Sequence, residues 1–97
     1  MSGKYRITLN TPMGVESGIL ELKTNGNTLT GTINSNKLNS SFSNGRIVGN
    51  NIIFSGKIKM AMIMTINYNA NCTIDKGKLW GIVQTSYGNF HVQGNKI

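Results

Sequence analysis

Lys59-Met60-Ala61-Met62-Ile63-Met64-Thr65-Ile66-Asn67-Tyr68 decides how the rest of this chain is read. Taken with a period of two, it places Met60, Met62, Met64, Ile66 and Tyr68 on one face and Ala61, Ile63, Thr65 and Asn67 on the other. A run with one apolar side, and a second side that turns polar, is the pattern of a β-strand backed by a core. Thioether chains fill irregular space, so the three alternating methionines read either as core packing or as an adaptable wall for an apolar guest.

The same alternation extends in both directions. Residues 3–10 set Tyr5, Ile7 and Leu9 against Arg6, Thr8 and Asn10, and Thr11-Pro12-Met13-Gly14 reads as a turn. A second strand over 15–24 slips at Gly18-Ile19-Leu20, which predicts a bulge or barrel corner. Asn25-Gly26 is the strongest hairpin signal and leads to 27–35, with Leu29, Gly31 and Ile33 inward. A weak strand at 40–43, a turn at Asn44-Gly45 and a short strand at 46–48 follow, and Gly49-Asn50-Asn51 turns into 52–58. Every even position from Ile52 to Tyr68 is apolar or Gly56, a run too long for one usual strand, so a turn is predicted near Lys57 to Ala61. Beyond the methionines the strand runs to Thr73 or Ile74. Asp75-Lys76-Gly77 turns, 78–86 forms a strand, Tyr87-Gly88 turns, and 89–93 closes the series.

Fourteen asparagines and twelve glycines against one proline suit such tight turns, and helix signals are nearly absent. The reading is therefore an all-β fold: one domain over 1–97, a small up-and-down antiparallel meander barrel of about eight strands. Gly31 and Gly81 each fall between inward residues, where glycine either admits a bulky neighbour across the strand or leaves open space.

Ten basic residues against three acidic ones give a net charge of +7. The cations are spread along the chain without a basic run, so solubility and protection of strand edges account for them better than a nucleic-acid groove. No apolar run is long enough to cross a bilayer as a helix, and the N-terminus lacks the apolar core of a signal peptide. With Cys72 alone there is no internal disulfide framework, and a cytoplasmic location is expected.

Tyr5-Arg6-Ile7-Thr8-Leu9 followed by Thr11-Pro12-Met13-Gly14 resembles a family of small bacterial lipocalin-like (calycin-like) β-barrel proteins. So do Gly18-Ile19-Leu20-Glu21-Leu22, Asn27-Thr28-Leu29-Thr30-Gly31-Thr32-Ile33, Asn44-Gly45-Arg46-Ile47-Val48-Gly49-Asn50 and the methionine stretch. The resemblance implies an antiparallel barrel, completed or sealed by a homodimer, with an apolar interior able to take a small molecule. It carries over no catalytic residue.

Catalysis has few candidates of its own. His91 shares a face with Gln93 and reads as outward and solvated, while Cys72 continues the apolar face and reads as a buried, inert thiol. Glu16 and Glu21 are an odd number of positions apart and point oppositely unless Gly18 bulges, and Asp75 sits at a turn. Neither an acid dyad nor a metal set is present, and no cofactor is expected. Trp80 faces outward when counted with Lys78 and Gln84, and inward, closing the barrel, when counted with Ile82.

These readings favour non-catalytic binding of a small apolar or amphipathic molecule in the barrel interior. Tyr5, Leu29, Phe54, Met60, Met62, Met64, Tyr68 and Phe90 would line it. Two alternatives stand beside it. One is a nucleic-acid-binding barrel using Lys57, Lys59, Lys78 and Trp80; the other is an inhibitor or accessory module pairing with a protein through an edge strand.

Overall fold

A computed structural model describes residues 2–11, 14–35, 39–60 and 64–97, with side chains for all of these except Thr11, Lys59, Met60 and Met64. Eight strands follow one another: β1 (Gly3–Thr11), β2 (Gly14–Asn25), β3 (Thr28–Ser35), β4 (Asn39–Val48), β5 (Asn51–Met60), β6 (Met64–Asp75), β7 (Lys78–Thr85) and β8 (Gly88–Lys96). Each pairs antiparallel with the next, and β8 returns to β1 from Tyr5↔Lys96 to Asn10↔His91, closing an up-and-down barrel. The predicted fold class is the observed one.

The turns follow from backbone chemistry. Gly26 (φ 64°) and Gly49 (φ 62°) each hold the first central position of a two-residue hairpin, the place where a II′ turn needs positive φ. At Lys76-Gly77 both central residues are positive (51° and 79°), the pattern of a I′ turn with an unusual lysine at its first position.

Three sequence expectations are corrected. The opening stretch 59–68 is not one strand: β5 runs to Met60, β6 starts at Met64, and those two residues are register partners. The turn predicted near Lys57 to Ala61 therefore lies later, and Ala61, Met62 and Ile63 fall outside the described residues. An odd number of connecting residues keeps the inward phase on even positions through both strands, which is why the sequence reads as one uninterrupted run.

Asn44-Gly45 is not a turn either. It lies inside β4, where the pairing with β3 shifts between Leu29↔Gly45 and Gly31↔Phe42, placing one extra residue on β4. That is the barrel's bulge, and β1–β2 pairing passes through Ile7↔Gly18 without interruption. The slip at Gly18-Ile19-Leu20 arises because Gly18 takes the inward position and Ile19 faces out.

The inward set is buried and apolar: Tyr5, Ile7, Leu20, Leu22, Leu29, Phe42, Ile52, Phe54, Ile58, Tyr68, Ala70, Cys72, Ile74, Leu79, Val83 and Val92. Its centre is a run of aromatic rings. Phe42 stacks on Phe54 at 4.1 Å between centroids, and Phe54 meets Tyr68 edge-on at 6.1 Å. Two inward glycines make room for these rings. A Cβ on Gly31 would meet the Phe42 ring at 2.8 Å, and one on Gly56 would meet the Tyr68 hydroxyl at 3.0 Å. At Gly81 a Cβ would strike the Asn71 carbonyl and the Cys72 Cα. These positions admit neighbours instead of leaving space.

One joint is short. The β4–β5 ladder covers only Arg46–Val48 with Asn51–Ile53. Farther along, side chains span the two strands: Asn44 Nδ2 donates to Ser55 Oγ at 3.4 Å, and Ser40 Oγ donates to the Lys57 carbonyl at 2.7 Å.

Candidate functional site

Five of the eight residues expected to line an interior pocket have described side chains, and all five pack into or against the core. Tyr5, Leu29, Phe54 and Tyr68 are buried, and Phe90 is half-buried against the core. For Met60 and Met64 only the backbone is described, and Met62 lies outside the described residues. The interior cavity bounded by Ile7, Leu20, Phe54, Tyr68, Leu79 and Val83 amounts to about 40 Å³. A small-molecule site takes up roughly 300–1,000 Å³. Among the described residues the protein's own rings take up most of the interior, which leaves about 40 Å³ there.

Chemistry inside is correspondingly quiet. Burial pushes the Tyr5 phenol up and the Cys72 thiol up to about 12, so the thiol holds its proton and is a poor nucleophile. The Tyr68 hydroxyl is sealed from solvent and makes no well-formed hydrogen bond, while the nearby Ser40 hydroxyl donates to the Lys57 carbonyl at 2.7 Å. Burial raises the Tyr68 phenol, and proximity to Ser40 offsets that rise in part. Cys72 faces inward and His91 outward, so the sheet itself separates the two groups that nucleophilic catalysis would need together. With no bulge at Gly18, Glu16 and Glu21 point to opposite sides.

Outside, the wall is polar, with Lys4, Arg6, Asn10, Lys23, Asn34, Arg46, Lys57, Asn67, Asn69, Lys78, Gln84 and Gln93 exposed. This is the reverse of a membrane-spanning barrel, whose outward residues form an apolar band. Among the described residues, Lys78 and Arg6 flank Asn95 in one row with Lys4 and Lys96 near them, while Lys57 stands towards the other end of the wall. Lys57 pairs with Asn67 and Lys78 with Asp75, eight residues apart on β6 or about 26 Å. The four residues proposed for a nucleic-acid face, Lys57, Lys59, Lys78 and Trp80, therefore do not form one patch. Strand pairing runs all round the barrel, and the ladder is least complete at β4–β5, where three register pairs join two ten-residue strands.

The larger concavity is on this outer wall. A groove of about 530 Å³ lies over β6, β7, β8 and β1, lined by Asn71, Trp80, Ile82, Gln84, His91 and Gln93, with Asn10 and Thr73 beside them. Register explains the arrangement. Thr73, Trp80 and Gln93 stand side by side across three strands, and Asn71, Ile82 and His91 form the next row, which Asn10 continues. Asn69, Gln84 and Asn89 form the third. Trp80 and Ile82 make a short apolar stripe on β7, 46% and 38% exposed, with Thr73 and Asn71 on one side and Gln93 and His91 on the other. The backbone at Gly81 and Val92 forms the floor, since Val92 turns its side chain into the core. Thr73 is already engaged, donating to Asn51 Oδ1 at 2.9 Å. The sequence leaves the facing of Trp80 open, and the structure turns it outward.

No protein-family model matches the chain, and no curated protein matches it. Among solved structures, the crystal structure of a candidate outer membrane protein from Bacteroides fragilis aligns with a TM-score of 0.69 at 18% identity. The alignment covers 99% of this chain and 44% of that protein, so the chain spans less than half of its length. At this identity the likeness shows a shared eight-stranded antiparallel barrel and does not show the lipocalin-like family. The neighbour's description fits poorly with the cytoplasmic location expected from the sequence.

Proposed function

We propose that this protein is a non-catalytic binding domain in which a packed barrel serves as a rigid scaffold and the groove around Trp80 takes the ligand. One observation carries this reading: the concave space lies on the outer wall, about 530 Å³, while the interior keeps about 40 Å³. Trp80, an amphipathic ring held on a strand and half in solvent, supplies contact area at small entropic cost. The amides around it supply direction. The chemistry available to Cys72 and His91, divided by the sheet, supports binding over catalysis.

Chemical-shift mapping tests the assignment. Titration with a mixed fragment set that includes saccharides, aromatic compounds and palmitate is expected to move the amides of Asn71, Trp80, Ile82 and His91. Shifts confined to Leu20, Phe54 and Val83 on adding palmitate would return the ligand to the interior.

A further inference from the structure

Resting on the outer-wall reading, we infer that the groove binds a neutral oligosaccharide, one sugar ring lying on Trp80 and its hydroxyls reaching the amides on either side. Charge is the first argument. The chain carries ten basic and three acidic residues. Nevertheless the three rows Thr73–Trp80–Gln93, Asn71–Ile82–His91 and Asn69–Gln84–Asn89 hold no Lys, Arg, Asp or Glu. The charged positions bound this area. Asp75, Lys78 and Arg6 stand in the adjoining row at one end, and Lys57 faces Asn67 at the other. A phosphate or carboxylate ligand would find no counter-charge among the groove residues, whereas a neutral one needs none.

The second argument is the kind of hydrogen-bonding group present. Asn71, Gln84, Gln93 and Asn10 are exposed amides, each presenting a donor and an acceptor side by side. A hydroxyl is also donor and acceptor at once, so a polyol satisfies such a lining where a lipid or a purely aromatic compound leaves it unpaired. The third is the indole. Its negative face complements the apolar, slightly positive C–H face of a pyranose ring. Trp80 is flanked in register by Thr73 and Gln93, and Ile82, about 6.8 Å along the strand, extends the apolar track under a second ring.

Trp80 is the sole tryptophan, so its emission reports directly on the site. The wild-type protein is titrated with cellohexaose, maltohexaose and triacetylchitotriose, with a thymidine decanucleotide and palmitate as the other classes. Titrations are made in 50 and 500 mM sodium chloride, and calorimetry is used for the variants. The expected result is saturable binding of at least one neutral saccharide whose affinity changes less than twofold between the two salt concentrations. Trp80→Ala should weaken it at least tenfold and Gln84→Ala severalfold, with both variants keeping the wild-type circular dichroism. If the decanucleotide or palmitate titrates the groove and a broad array of neutral glycans does not, the saccharide assignment is overturned and the outer-wall site stands. If no probe of any class perturbs Asn71, Trp80, Ile82 or His91, the outer-wall site falls with it. A homodimer that Trp80→Ala converts to monomer would overturn both, by making the stripe a subunit contact.

Discussion

Replacing Tyr68 by Phe should stabilise this protein, against the usual effect of altering a core residue. The Tyr68 ring does necessary packing: it meets Phe54 edge-on at 6.1 Å and lies over Gly56. Its hydroxyl is buried without a well-formed hydrogen bond, its contact with Ser40 being a weak one. Leaving a buried hydroxyl unsatisfied costs about 1–3 kcal/mol of desolvation, and phenylalanine removes that cost while keeping every ring contact. Ser40 stands close enough to ease the burial, so the lower part of the range applies, about 1 kcal/mol. For a domain of this size that corresponds to a rise in Tm of about 4–8 °C. Urea melts with matched m-values would give the free energy, and calorimetry the temperature. A loss of 1 kcal/mol or more in Tyr68→Phe would show that the hydroxyl is satisfied after all and that the reasoning about this part of the wall is wrong.

Three other outcomes follow from the same geometry. Gly31→Ala places a methyl group against the Glu21 carbonyl and the Phe42 ring, and should lose about 1–3 kcal/mol in chemical melts. Lys76→Asn relieves a non-glycine residue at φ 51° and creates the Asn-Gly pair that a I′ turn favours; a gain of about 0.5–1 kcal/mol is expected from the same melts, and no gain would count against strain there. Cys72 has its folded pKa raised from 9.0 to about 12, so the folded state holds that proton longer than the unfolded one. Stability is then complete below about pH 9 and falls as pH rises towards 12, by at most about 1.4 kcal/mol per unit from this group. Cys72→Ala should flatten melts compared between pH 8 and 11, and an unchanged slope would assign the alkaline loss to the buried tyrosines.

What could be read from the sequence was whatever alternation alone determines. Tyr5, Ile7 and Leu9 against Arg6, Thr8 and Asn10 need only a period of two, and the structure agrees, whereas Trp80 suits either face in the sequence and is settled as outward by the structure. Alternation fails where two strands share a phase, as at Met60 and Met64, and where a bulge takes the residues of a turn, as at Asn44-Gly45. It also cannot say what stands opposite a glycine. Gly31 and Gly56 suit an open pocket or a ring laid across the strand, and only the pairing with Phe42 and Tyr68 decides between them. The groove was illegible for a related reason. Asn71, Ile82 and His91 are neighbours through the register of three strands, which no local pattern records.

The uneven joints of the wall have a mechanical consequence. Strands β5 and β6 are laced over ten residues and the first and last strands over six, while β4 and β5, consecutive in the chain, share only three. The barrel is therefore better described as a sheet rolled until its two middle strands touch, with the weld at β4–β5 and not between the termini. Breathing motions should begin there as a slit, widening from Ser40 and Lys57 towards Arg46. Backbone amides along that slit should trade hydrogen for deuterium well before those of β6 and β7 behind the groove, which are paired with each other over eight residues.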